Sequence, residues 1–318
     1  MSRKPVITKR LWNSVSSQSF SATVKRRMNR AANCLAMLRR CLTKSSSAAW
    51  LRRQSAISVR GIFSRLCCRT DCVRPFEGSL LNTYRVLRTL NPSPYMFYFS
   101  GTDVEVAGAS PETLVKLEKW CTAHFPACRT DREAEPQRKT KALEAQLLAD
   151  EKRTGRTQYA GDLGRNDLGK ISKFGTVQVE KFHSIERFSH VMHIGSTVRG
   201  EISENHDALD AIEAVLPAGT LSGAPKIRAC QLIGELENNK RGIYGGAIGY
   251  IDFTGNMDTC IAIRIAYKKN GKVFVRSGAG IVADSIPEKE FEECLNKAKS
   301  SLKALELAQE ANHDSSDR

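Results

Sequence analysis

No stretch of eighteen consecutive apolar residues occurs in the 318-residue chain, so no membrane-spanning helix of ordinary length is expected. Acidic residues are nearly missing from one region: residues 1–75 hold only Asp71 against 17 Lys and Arg. Of the totals of 49 basic and 34 acidic residues, 32 and 33 lie elsewhere, so the formal charge of +15 belongs entirely to this leader. By itself such a segment suggests a nucleic-acid-binding arm or an Arg- and Ser-rich targeting peptide. It shows no sustained period and is best left without assigned structure. Zinc spacing and a disulfide framework are also lacking. Of ten cysteines, Cys34, Cys41, Cys67, Cys68 and Cys72 lie in the leader, and Cys121 and Cys128 in a second atypical window. The remaining Cys230, Cys260 and Cys294 are isolated and read as free thiols of a reducing, cytoplasmic compartment. No internal repeat is present.

What is present is concentrated between Leu216 and Gly280. Thr259 to Tyr267 alternates with period two, as a half-buried strand does, and Arg264 interrupts its apolar run. A guanidinium there needs either an anionic ligand or an internal ion pair, because an unpaired buried charge is costly and Arg suits bidentate carboxylate contact. A second strand, Lys272 to Arg276, leads into Ser277-Gly278-Ala279-Gly280, where two glycines allow a turn with its N–H groups aimed at an anion. Pro287-Glu288 opens a helix whose apolar face is Phe291, Leu295, Ala298, Leu302 and Leu305. Glu290, Glu293 and Lys297 share another face. Carboxylates three apart near a helix start suit Mg²⁺, and they equally complement the helix dipole.

Two further segments say less. Ser189 to Gly195 reads as a strand leading into a turn, and a lone His193 there is more often structural than catalytic. Asp162 to Gly169 reads as a loop or helix end.

Taken in order, NPSPYMFYF, GASPETLVK, DLGRNDLGK, VMHIGSTVRGE, AGTLSGAPKIRA, RGIYGGAIGY, MDTCIAIR and SGAGIVADSIPEKEFEE resemble the chorismate-utilising enzymes, and within them the large component of anthranilate synthases. The match covers about two thirds of the chain, mainly residues 76–118 and 162–308. The resemblance implies an α+β fold of antiparallel sheets packed face to face with flanking helices, and a catalytic domain over residues 76–310 followed by a short tail, 311–318. It implies a lyase that converts chorismate and ammonia to anthranilate and pyruvate in tryptophan biosynthesis, with a glutamine amidotransferase subunit as ammonia source. Carried over by motif, His193 assists proton transfer near the departing hydroxyl. Tyr244, Arg264, Lys297 and the Gly278-Ala279-Gly280 backbone hold substrate carboxylates, with Thr220 nearby. Glu293 ligates Mg²⁺ beside Glu290, and Pro94, Tyr95 and Met96 match the tryptophan feedback site. Neither nucleic acid nor a membrane is an implied partner, and a targeting leader would join such a domain part-way through.

Between Glu118 and Ala142 the family's Pro-x-Ala-Gly-Thr-Arg-Pro pocket segment is missing. Back-translating Phe125 to Arg129 and moving the frame forward one base permits Phe-Pro-Leu-Ala-Gly. The same shift over Arg153 to Gly161 permits Glu-Leu-Ala-Glu-His-Asn-Met-Leu-Val, after which Asp162 continues in frame. Gln54 to Cys72, displaced the other way, also permits a family-like text. Residues 1–75, 119–140 and 153–161 are therefore expected to be out of frame. The second metal-ligating Glu would fall across Arg156 and Thr157, which makes catalysis by the chain as written doubtful. Aminodeoxychorismate synthase is the alternative within the family, although its pocket Lys is excluded by the shifted codon. A non-catalytic remnant is the alternative of another class.

Overall fold

The computed structural model describes residues 65–119, 121–124, 127–129, 161–187, 192–237, 239–282 and 285–316. These residues form two antiparallel sheets with helices packed on them. The first sheet runs in the order β2 (Tyr95–Ser100), β3 (Val104–Ser110), β12 (Ile265–Lys269), β13 (Lys272–Ile281), β1 (Arg65–Pro75), β9 (Gly223–Ala224). In the second the order is β10 (Ala247–Ile251), β11 (Met257–Ile261), β4 (Thr113–Glu118), β5 (Cys121–His124), β8 (Met192–Glu201), β6 (Ala127–Arg129), with β7 (Gln178–Arg187) also on β8.

Four helices have local reasons to form where they do. In α1 (Leu80–Leu90), Ser79 Oγ accepts from the Leu81 amide, and Leu80, Thr83 and Leu87 make the buried stripe. A reciprocal capping box, Asp207 with Asp210, starts α2 (Ala208–Val215). Pro225 immediately precedes α3 (Lys226–Glu237). Pro287 opens α4 (Pro287–Ser316), as the sequence predicted, and the helix continues through the expected tail as far as Ser316.

The core has two parts. Leu114, Leu117, Val198, Met257 and Ile261 of the second sheet pack on Ala208, Ala211 and Val215 of α2 and on Leu168. Val106, Ile265 and Tyr267 on one face of the first sheet meet Tyr244, Ala262 and Ile248, which belong to the second sheet's margin. The opposite face carries α1 and α4 through Leu87, Ala109 and Ala304. Each such Leu or Ile side chain contributes about 1.5–3 kcal/mol on burial. This is the α+β arrangement of face-to-face sheets with outer helices that the resemblance implied.

Three expectations change. Arg65–Pro75, left without structure on sequence grounds, forms β1 and pairs with β13 over ten positions, from Leu66↔Ile281 to Pro75↔Lys272. The single strand expected from Thr259 to Tyr267 is broken, because the chain leaves the second sheet after Ile261 and enters the first at Ile265. The strand at His193 does not turn at Gly195 but continues to Glu201, since β7 pairs with it as far as Arg199 and β5 as far as Glu201.

Candidate functional site

Arg264 stands at the sheet-to-sheet crossing and is not a strand residue. Its φ is +54°, a conformation that costs an ordinary side chain about 1–2 kcal/mol. Such strain persists only where surroundings over-determine it. Here they do: the Ala109 amide donates to the Arg264 carbonyl (3.3 Å), Gly245 N donates to Ala262 O (2.9 Å), and Ala262 N to Gly246 O (2.8 Å). The half-buried guanidinium then reaches α4, where Nη1 donates to the Lys297 carbonyl at 2.6 Å.

Lys297 closes the other side. Its ammonium donates to the Gly278 carbonyl at 2.9 Å and pairs with Glu293 one turn earlier on the helix. Ser277 Oγ donates to the Cys294 carbonyl at 2.8 Å, fastening the strand to the same helix. The turn expected at Ser277 to Gly280 is not formed, because β13 runs unbroken from Lys272 to Ile281 with β1 alongside. The outward-facing amides arise differently. β12 pairs with β13 only up to Ala266↔Val275, so residues 277–281 keep one neighbour, β1. Alternate amide groups there point away from β1 into the space beside Arg264.

Tyr244 is buried against Val106, Ala262, Ile265 and Tyr267, in a tight turn where Gly242 and Gly245 take positive φ. Thr220 lies in the turn made by Leu221 N and Ser222 N, both donating to Ala218 O. Its Oγ1 is buried without a hydrogen-bond partner among the described residues. Gly219 beside it is needed for contact, because a side-chain carbon there would run into Leu163 of the 161–169 helix.

The two carboxylates expected at the metal are both held by neighbouring side chains. Ser285 Oγ donates to Glu290 Oε1 (2.8 Å), and Lys297 already neutralises Glu293. Among the described residues no group of three His, Cys, Asp or Glu gathers into a metal site. The two carboxylates do not complete a Mg²⁺ site by themselves. The second expected ligand position, Arg156 and Thr157, lies outside the described residues, as do residues 130–140 and 153–160 of the two suspect windows.

The backbone of His193 lies in β8, opposite Arg129 of β6 and Glu186 of β7. Its side chain is outside the described residues. The three feedback positions divide: Pro94 is exposed, Met96 packs beside Leu87 and Ala304, and the Tyr95 hydroxyl crosses to the second sheet. Burial foremost, helped by Asp258 and opposed by Thr113, pushes the Tyr95 phenol well above its ordinary range.

Sequence reasoning missed the struts beneath these residues. Lys226 Nζ donates to Asp167 Oδ2 (2.7 Å) and to the Val215 carbonyl (3.0 Å), joining the start of α3 and the end of α2 to the 161–169 helix. Burial lowers the Lys226 ammonium pKa, against the pull of Asp167. Arg241 grips Glu237 with Nε (3.0 Å) and Nη2 (2.6 Å) while Nη1 donates to Leu221 O (2.6 Å). Arg276 Nη1 donates to the Lys240 carbonyl (2.8 Å) and to that of Arg241. Asp167, Lys226 and Arg241 sit inside the quoted motif words, whereas Glu237 and Arg276 lie outside them. The words alone do not say that they pair with each other. Among the described residues Cys121, Cys230 and Cys260 are free thiols, and no helix is long and apolar enough to cross a membrane.

Comparison with known proteins agrees with this geometry. The chain is 53% identical over 239 residues to anthranilate synthase component 1 of Aquifex aeolicus, covering 75% of this chain and 48% of that protein. It is 49% identical over 260 residues to the protein of the same name from Acetivibrio thermocellus, covering 82% and 52%. The chain thus spans about half the length of the curated relatives it matches. The crystal structure of anthranilate synthase component I from Streptococcus pneumoniae superposes with a TM-score of 0.76 at 40% identity, over 82% of this chain and 58% of that one. The menaquinone-specific isochorismate synthase of Escherichia coli shares the fold, with a TM-score of 0.74 at 22% identity over 83% and 61%. With residues 44–303 matching the model of the chorismate binding enzymes, this chain belongs to that family.

Proposed function

We propose that this chain is the catalytic portion of an anthranilate synthase component I. Ammonia adds to the ring of chorismate, the ring hydroxyl leaves as water, and pyruvate is eliminated to leave anthranilate. The observation that carries this reading is that Lys297 of α4 accepts from Arg264 at its carbonyl while its ammonium donates to Gly278 on the one-sided stretch of β13. Two cations beside outward-facing amides suit a ligand bearing carboxylates.

In this reading Arg264, Tyr244, Lys297 and the Gly278-Ala279-Gly280 backbone hold the substrate carboxylates. Thr220 completes the pocket, and its buried, unpartnered Oγ1 is what a hydroxyl reserved for a ligand presents. His193 moves the proton at the departing hydroxyl. Mg²⁺, when bound, would neutralise substrate charge at Glu293 with Glu290 beside it, using substrate oxygens and a further carboxylate. The partner is a glutamine amidotransferase subunit supplying ammonia, tryptophan acts through Pro94, Tyr95 and Met96, and the compartment is the cytoplasm.

Residues up to about 75, 119–140 and 153–161 are, in the same proposal, products of displaced reading frames. Deep resequencing of the source DNA across codons 50–165 tests that directly. The functional test is anthranilate fluorescence with chorismate, ammonium and Mg²⁺, together with chorismate binding by calorimetry. A restored-frame version should bind and turn over, and the chain as written should bind with little turnover. Failure of both to bind chorismate sinks the reading.

A further inference from the structure

We infer that Arg241 is a positioning residue that holds the Thr220 turn and the Tyr244 turn in a single register. Its role in substrate binding rests on the chorismate reading above, whereas its structural role does not.

Arg241 begins the segment that carries Tyr244, and the Tyr244 amide donates back to the Arg241 carbonyl at 3.3 Å. Its guanidinium spans the gap to the other turn, donating to the carbonyl of Leu221, the neighbour of Thr220, at 2.6 Å. Two further bonds make a fork onto both oxygens of Glu237, whose side chain is 2% exposed. A fork of this kind fixes the plane of a guanidinium, which an ammonium cannot do. Arg276, two residues before Gly278 on β13, donates to the Arg241 carbonyl. One connected path therefore runs from β13 through Arg276 and Arg241 to Leu221, touching every segment that supplies a proposed carboxylate contact except α4 and the Arg264 crossing. A side-chain carbon added at Gly245 would just touch Leu221, so the two turns also lie close together.

The test compares the full chain with Arg241→Ala, Arg241→Lys and Glu237→Gln at a temperature where circular dichroism shows each folded. Two readouts are taken: chorismate affinity by calorimetry, and hydrogen exchange at the amides of Leu221, Ser222 and Gly245, with Ile261 as a control. Arg241→Ala should weaken chorismate about tenfold or more, the effect of losing a charge-assisted bond. Exchange at the three amides should accelerate while Ile261 stays protected. Arg241→Lys should recover only part of either effect, because it cannot contact Glu237 and Leu221 in one plane. Wild-type affinity in Arg241→Ala, with unchanged exchange, overturns the inference. If the wild-type chain binds no chorismate, the substrate reading fails and the exchange result alone decides the positioning role. If Arg241→Ala does not fold, Arg241→Lys decides it by the same two readouts.

Discussion

The Tyr95 hydroxyl donates to the Asp258 carboxylate at 2.8 Å, joining β2 of one sheet to β11 of the other. Thr113 Oγ1 lies 2.8 Å from the same hydroxyl, so the bridge also reaches β4. Ser110, directly opposite Tyr95 in the β2–β3 ladder, makes a second crossing by donating to Ile261 O at 2.7 Å. The hairpin thereby grips both ends of β11, three residues short of Arg264.

Tyr95→Phe should cost about 1–2 kcal/mol, since it leaves the half-buried Asp258 and Thr113 groups without their shared partner. Chemical denaturation measures this. The folded-state pKa of Tyr95 lies above the unfolded value of about 10, so the bridge contributes fully below that pH and is lost as pH rises beyond it. The variant should therefore show a shallower alkaline loss of stability. Equal alkaline slopes would refute the assignment.

At the acid end the relevant group is Glu105. Burial works to raise its pKa, but donors from the Leu80 amide, Ser79, Tyr98 and Lys268 outweigh it and hold the carboxyl below its ordinary value. Its contribution is present above about pH 4.3 and disappears as pH falls through the lowered folded value. Glu105→Gln should be less stable than the parent at pH 7 and should converge with it in thermal melts once pH has fallen below the lowered folded value.

Asp167→Ala should be severely destabilising, by about 3–5 kcal/mol, because it strands the Lys226 ammonium in a site only 15% exposed. Replacing both residues with apolar ones should cost less than the single change. A double-mutant cycle measured by urea unfolding checks the non-additivity. Additive costs would mean that the two groups do not depend on one another.

Arg264→Gly and Arg264→Lys separate backbone from charge. Glycine relieves a positive φ and should hold stability within about 1 kcal/mol of the parent, yet lose chorismate binding. Lysine keeps the charge without the fork and should weaken binding on the order of 10- to 100-fold. Calorimetric titration of both variants tests the pair. Retained affinity in Arg264→Gly would remove Arg264 from the site.

Much was legible from local pattern. The start of α4 at Pro287 followed from proline chemistry. Its buried positions Phe291, Ala298, Leu302 and Leu305 followed from helical period. Strand character around Arg264 and His193 came from alternation and apolar content. Less legible was where each strand stops, because period two is the same on either side of a sheet crossing. Nothing in IAIRIA marks the residue at which the chain changes neighbours. The glycines of Ser277 to Gly280 read as a turn for the same reason: permissive residues allow a turn, and only the partner strand β1 makes the segment extended.

The sequence by itself determined the family through its ordered motifs, through that resemblance the antiparallel, helix-covered architecture, and the residue types available for holding an anion, since these depend on the order of residues along the chain. Only the tertiary structure decided that Arg264 sits in a left-handed crossing, that Lys297 answers Gly278, and that Arg241 and Lys226 brace the turns around them. Each of those contacts joins residues from different elements. Their partners are set by how two sheets and their helices close on one another.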